Sequence, residues 1–208
     1  MDMIQNDGFD LFMRFADGCR CYLKDKGILS EDDDKVILDY FRSGKRPDQN
    51  VIGRVYYVAY PGLEKTSQRM GKGMFDTEVV REFYAFDHNR MKVEEGNHIC
   101  VAFPAKVLER RGERVMVELS PVTGKFWVEP DIETELETGN WVIVHRINII
   151  EKIPEDYAMR ISEYLKNLGM NKEMKFPKVA IKYLKELKGC DSGRLETDLE
   201  GERNRRSK

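Results

Sequence analysis

Residues 98–119 read HICVAFPAKVLERRGERVMVEL, and residues 139–150 read GNWVIVHRINII. In the first stretch Val101, Phe103, Ala105 and Val107 alternate with their neighbours, as do Val115, Val117 and Leu119, and Arg111-Gly112-Glu113 supplies the turn between the two runs. Alternation of period two marks a half-buried strand, because successive side chains point to opposite faces. Pro121 to Gly124 forms a second turn signal, and Phe126-Trp127-Val128 is a short strand that stops at Pro130. Ile132 to Thr138 is acidic and reads as a connection, after which Trp141 to Ile150 reads as one long final strand. Several short strands separated by turn signals predict a small closed barrel, of which the five-stranded OB type is one.

The period changes on both sides of this stretch. Downstream, Pro154-Glu155-Asp156 opens a helix with proline near its first turn and acids behind it. Its inward face is Tyr157, Ala158, Ile161, Tyr164, Leu165 and Leu168, and Gly169 closes it. Upstream, Phe9, Phe12, Met13 and Ala16 share one helical face, and Gly18 is expected to end that helix. Ser30 caps a second helix, with Val36, Ile37, Tyr40 and Phe41 as its buried face and Gly44 and Pro47 as its stop. Asn50 to Tyr60 fits a strand by composition and a helix by spacing. The helix is preferred, with Asn50 as cap and Pro61-Gly62 as terminator, followed by a loop from Lys65 to Gly73. Asp76 or Thr77 caps a last helix that buries Val79, Val80, Phe83 and Phe86. The fold class is therefore α+β: a helical domain over 1–97, an OB-like barrel with its helix over 98–170, and a periphery over 171–208. In that periphery, 177–188 reads as a docking helix. Ten of the twenty residues from Gly189 to Lys208 are charged, a composition that predicts a mobile tail.

Composition narrows the function classes. Hydrophobic residues at 41% and charged residues at 35% suit a globular chain. A net charge of -2 gives no general attraction for nucleic acid or anionic membrane. No apolar run approaches the roughly 20 residues of a membrane span, and no leader precedes the first helix, so the cytoplasm is the expected location. Cys19, Cys21, Cys100 and Cys190 are too few and too scattered for a secreted disulfide framework, leaving free thiols, metal ligands or core filler.

Cys100-Val101-Ala102-Phe103-Pro104 and Gly139-Asn140-Trp141-Val142-Ile143-Val144-His145 together resemble the HypC (HupF, HybG) chaperones of nickel-iron hydrogenase maturation. Those short proteins open Met-Cys-aliphatic-x-x-Pro, continue into a small barrel, and carry a Gly-Asp-x-Val-aliphatic-Val-His strand before a C-terminal helix. The likeness covers about 70 residues, a third of the chain. It implies a transiently held iron bearing cyanide and carbonyl, shared with a HypD-like maturation protein. Delivery would be to a hydrogenase large-subunit precursor or another metalloprotein client. It also implies Cys100 as the iron ligand and His145 as its supporting histidine. Two departures stand out: ninety-nine residues precede Cys100, where relatives place the cysteine at the mature N-terminus, and Arg146-Ile147-Asn148-Ile149 replaces the usual Val-Gly-Phe-Ala.

The residues also carry their own chemistry. A thiolate is a soft, strongly donating ligand; on the residues alone Cys100 reads first as a small buried hydrophobe, and the resemblance turns the reading toward the ligand. His145 is either a core histidine satisfied by one hydrogen bond or a functional one. His98 lies two residues before Cys100, so on a strand it would share that face and could join the thiol on metal; in a preceding loop it would not. Cys19-x-Cys21 lacks a second Cys or His pair at zinc-site spacing. Gly71-Lys72-Gly73 lacks the rest of a phosphate loop, and His88 is expected at the surface or a helix end. The expectation is a metallocentre-assembly chaperone rather than an enzyme. Two other readings are an OB-fold that binds nucleic acid through Phe126 and Trp127, against which the neighbouring acids argue, and an enzyme with Cys100 as nucleophile and His145 as base.

Overall fold

The computed structural model describes residues 7–130, 132, 135–146 and 148–174. They fall into two compact units, divided along the chain between Asn97 and His98. The expected peripheral helix over 177–188 and the charged tail lie outside the described residues.

The first unit is helical. Helix α1 (Gly8–Asp25) buries Phe9, Phe12, Met13 and Ala16 as their spacing predicts, together with Leu11 and Phe15. It does not stop at Gly18. A mid-helix glycine costs about 1 kcal/mol relative to alanine, and contacts further along offset this: Leu23 is buried, while Arg20 and Lys24 bond Asp34 at 2.8 and 2.6 Å. Gly27, at φ +65°, is the residue that ends the rod, with the Ile28 amide turned back onto the Leu23 carbonyl.

Helix α2 (Glu31–Ser43) starts at Ser30, whose hydroxyl accepts from the Asp33 amide at 3.1 Å, and ends at Gly44 in the left-handed region. Ile37 and Tyr40 are core residues, whereas Val36 and Phe41 are exposed. The buried stripe is thus narrower than expected, with Asp34 completing it.

Asp48 rather than Asn50 caps α3 (Gln49–Val55). The chain then turns at Tyr56–Val58 and enters α4 (Ala59–Met70), so Pro61-Gly62 does not terminate a helix and most of the expected Lys65–Gly73 loop is helical. Pro61 is tolerated as the third helical residue, where its missing N–H would have had no intrahelical partner. Gly62 lets α4 pack closely: an added Cβ would lie 2.5 Å from the Phe83 ring. Asp76 precedes α5 (Thr77–Glu82), which runs through a π-helical turn (Phe83–His88) into α6 (Asn89–Glu94). That wider turn shifts the helical phase. Tyr84, Ala85 and His88 therefore face the core, and Phe86 is only half-buried. His88 is not at the surface; it packs against Phe83 and Tyr84 at ring distances of 5.8 and 5.0 Å.

The Asp34 cluster predicts acid sensitivity. Burial alone would push this carboxyl up, but the hydrogen bonds and charges of Lys24 and Arg20 outweigh it and hold the group below its ordinary value. A depressed carboxylate contributes stability above its unfolded value of about 4 and loses it as pH falls through the folded value. Circular dichroism during acid titration is expected to show this unit weakening below about pH 4, and Asp34→Asn to flatten that part of the curve. An unchanged acid limb in the variant would assign the effect to other carboxylates.

The second unit is a five-stranded antiparallel sheet in the order β3-β2-β1-β4-β5. Its strands are β1 (Ala102–Arg111), β2 (Arg114–Leu119), β3 (Lys125–Val128), β4 (Trp141–His145) and β5 (Asn148–Ile153). The β1–β2 hairpin turns at Gly112, φ +61°, as the sequence predicts. The expected closed barrel is not formed. β3 and β5 remain as edges, β3 being four residues long and followed closely by Pro130, which has no amide to extend a ladder. Helix α7 (Glu155–Asn167) packs across β1 and β4 instead, burying Ala158, Ile161 and Leu165. The expected long strand over 141–150 is two strands. His145 pairs with Asn148, so the chain reverses after β4, with Arg146 at φ +58°. Among the described residues no helix is long and apolar enough to cross a membrane.

Candidate functional site

Cys100 lies at the end of a single 3₁₀ turn (His98–Cys100) that leads into β1. Gly96, at φ +68°, lets the chain leave α6, and the Val101 amide closes the turn on the His98 carbonyl. Cys100, Val101 and Ala102 are all buried, with Cys100 retaining 5% exposure. His98 is half-exposed on this turn. At about three residues per turn, residues i and i+2 do not share a face, so the strand relation expected between His98 and Cys100 does not hold.

The pairing of β1 with β4 supplies the rest of the site. Ala102 lies opposite His145, which brings a residue 45 positions away beside the cysteine. His145 is fully buried, and its Nε2 is 3.1 Å from the Cys100 carbonyl oxygen. A carbonyl oxygen can only accept, so Nε2 donates. The histidine thereby holds the Cys100 backbone.

The next residue, Arg146, is 3% exposed, and its Nη2 donates to Cys100 Sγ at 3.1 Å. A guanidinium remains charged throughout the accessible pH range, so the sulfur has a permanent cation beside it. The site is thus a buried sulfur with a cationic donor on it and a histidine fixing its main chain. That arrangement suits a soft anionic ligand.

Arg146 was not among the residues singled out from sequence. Only its departure from the resembled pattern, directly after the strand histidine, marked it. Cys100 and His145 are neighbours as the motifs imply. Among the described residues, however, no three or more His, Cys, Asp or Glu side chains gather as a possible metal site. Cys100, His145 and His98 therefore do not form a three-ligand set. Cys19 lies on α1 in the helical unit. Of the two rings in the nucleic-acid reading, Phe126 is buried at 6% exposure and so offers no face for base stacking, while Trp127 is half-buried with the Arg111 guanidinium 4.9 Å from its ring.

Residues 99–165 match the sequence profile of the HupF/HypC family. The matched span begins one residue before Cys100, contains His145 and Arg146, and ends within α7. No curated protein and no solved structure matches the chain.

Proposed function

We propose that this chain, whose residues 99–165 belong to the HupF/HypC family, is a metallocentre-assembly chaperone of hydrogenase maturation. In this reading it carries iron on the Cys100 sulfur. The observation that supports the role most directly is the Cys100–Arg146 contact at 3.1 Å within the matched span. The cysteine at the start of the family region has a permanently charged donor on its sulfur.

Iron is cargo here rather than a resident group, and the donor set fits cargo. Soft thiolate sulfur suits an iron that also carries cyanide and carbonyl. A single protein ligand leaves the remaining positions to a HypD-like partner and to the cyanide and carbonyl. It also leaves a low barrier to release into a hydrogenase large-subunit precursor. His145 acts as a positioning residue, holding the carbonyl of the ligand residue.

The test is anaerobic purification of the tagged full chain from its own organism, with iron quantified and associated proteins identified. Iron together with a hydrogenase-maturation partner is the expected result. A metal-free protein bound to nucleic acid, or a metal-free protein with no maturation partner, would overturn the reading.

A further inference from the structure

We propose that Arg146 makes the site selective for anionic cargo, so that Cys100 accepts a metal already bearing anionic ligands in preference to a bare cation. This rests on Cys100 as the metal ligand and adds the rule by which cargo is chosen.

Three observations carry it. Arg146 is 3% exposed, and burying a guanidinium is costly. It opens the β4–β5 reversal at φ +58°, a conformation that glycine, asparagine or aspartate would adopt at lower cost. Its Nη2 lies 3.1 Å from Cys100 Sγ. The fold thus accepts two local penalties at one residue, and the result is a fixed positive charge on the sulfur.

That charge remains when the sulfur takes another partner. A bare divalent cation bound to Sγ would sit within roughly 5 Å of a like charge. A metal complex with anionic ligands would instead place negative groups beside the guanidinium, which favours them both by charge and by hydrogen bonding. Lysine at the same position would preserve the charge but not the planar fork.

Competitive alkylation of the purified full chain tests this without iron or partner. Iodoacetate is anionic and iodoacetamide neutral. With both, the Cys100 thiolate attacks carbon, a C–S bond forms and iodide leaves, so thiolate fraction and access cancel in the ratio of the two rates. Mass spectrometry of the Cys100 peptide separates this cysteine from the other three.

In the folded protein the iodoacetate-to-iodoacetamide ratio is expected to exceed that of the urea-unfolded chain by about five-fold, the enrichment given by one water-screened charge pair at contact distance. Arg146→Gln should return the ratio to the unfolded value, and Arg146→Lys should retain most of it, each variant being checked by circular dichroism. Equal ratios in the folded and unfolded wild-type chain would overturn the proposal. So would a Cys100 that neither reagent modifies while the unfolded chain is fully labelled, because such a pocket admits no small anion. Either result would leave iron carriage by Cys100 to stand or fall on its own measurement.

Discussion

Cys100→Ala is expected to abolish iron carriage and iron-dependent partner binding while the circular dichroism spectrum stays that of the wild type. A one-thiolate site has no second protein ligand to retain metal once the sulfur is gone, so the loss is all-or-none. The structural cost is small by comparison. The alanine methyl keeps part of the buried volume, and the backbone hydrogen bond from His145 to the residue 100 carbonyl does not involve the side chain. The substitution does leave the Arg146 guanidinium without its sulfur acceptor, so a loss of about 1–3 kcal/mol is expected, enough to lower the melting temperature without unfolding the chain.

His145→Ala separates positioning from ligation. It removes the hold on the Cys100 carbonyl but no ligand, so iron is expected to fall only in part. Cys19→Ala, on α1 of the other unit, should leave iron and partner at wild-type levels. Pull-downs with iron quantified, run beside circular dichroism, distinguish these outcomes. A folded Cys100→Ala protein carrying iron and partner normally would exclude the ligand role and leave the family match as a shared fold.

The largest stability effect is expected at Phe12. Its side chain is fully buried, with ring centroids 5.7 Å from Tyr56, 5.6 Å from Phe75 and 6.2 Å from Tyr84. Phe12→Ala removes a ring that three aromatic neighbours enclose, and such neighbours cannot collapse into the space without leaving their own packing. Core phenylalanine truncations cost about 3–5 kcal/mol. For a unit of this size that lowers the melting temperature by roughly 12 °C or more. Phe41→Ala is the control: Phe41 is 44% exposed, and its removal should move stability by about 0.5 kcal/mol or less. Thermal melts read by far-ultraviolet circular dichroism would check both. A Phe12→Ala protein melting with the wild type would mean that the helical core is not organised around α1.

Phe12 and Phe41 also mark where local pattern was enough and where it was not. Both sit in helices that the apolar period of 3.6 located, and for α2 the Ser30 and Gly44 caps set both ends, because these are local chemistry. Which apolar residues face the core depends on the elements packed against them. The alternating runs of β1 and β2 and the glycine turn between them were similarly plain, since period two and a left-handed turn residue act within a few positions. Gly18 and Pro61 misled because breaker rules describe an isolated helix. Buried contacts carried α1 through its glycine, and the proline fell in the first turn of α4, where it breaks nothing.

At the site, two motifs in a fixed order singled out Cys100 and His145 in the sequence. Tertiary structure decided which of their atoms have partners there. The β1–β4 register turned His145 toward the cysteine carbonyl, and a left-handed residue split the expected long strand in two. That reversal carried Arg146 onto the sulfur. A contact across 46 positions leaves no local trace, because it is set by strand pairing and by the sign of one backbone angle, and neither is written in the residues beside it.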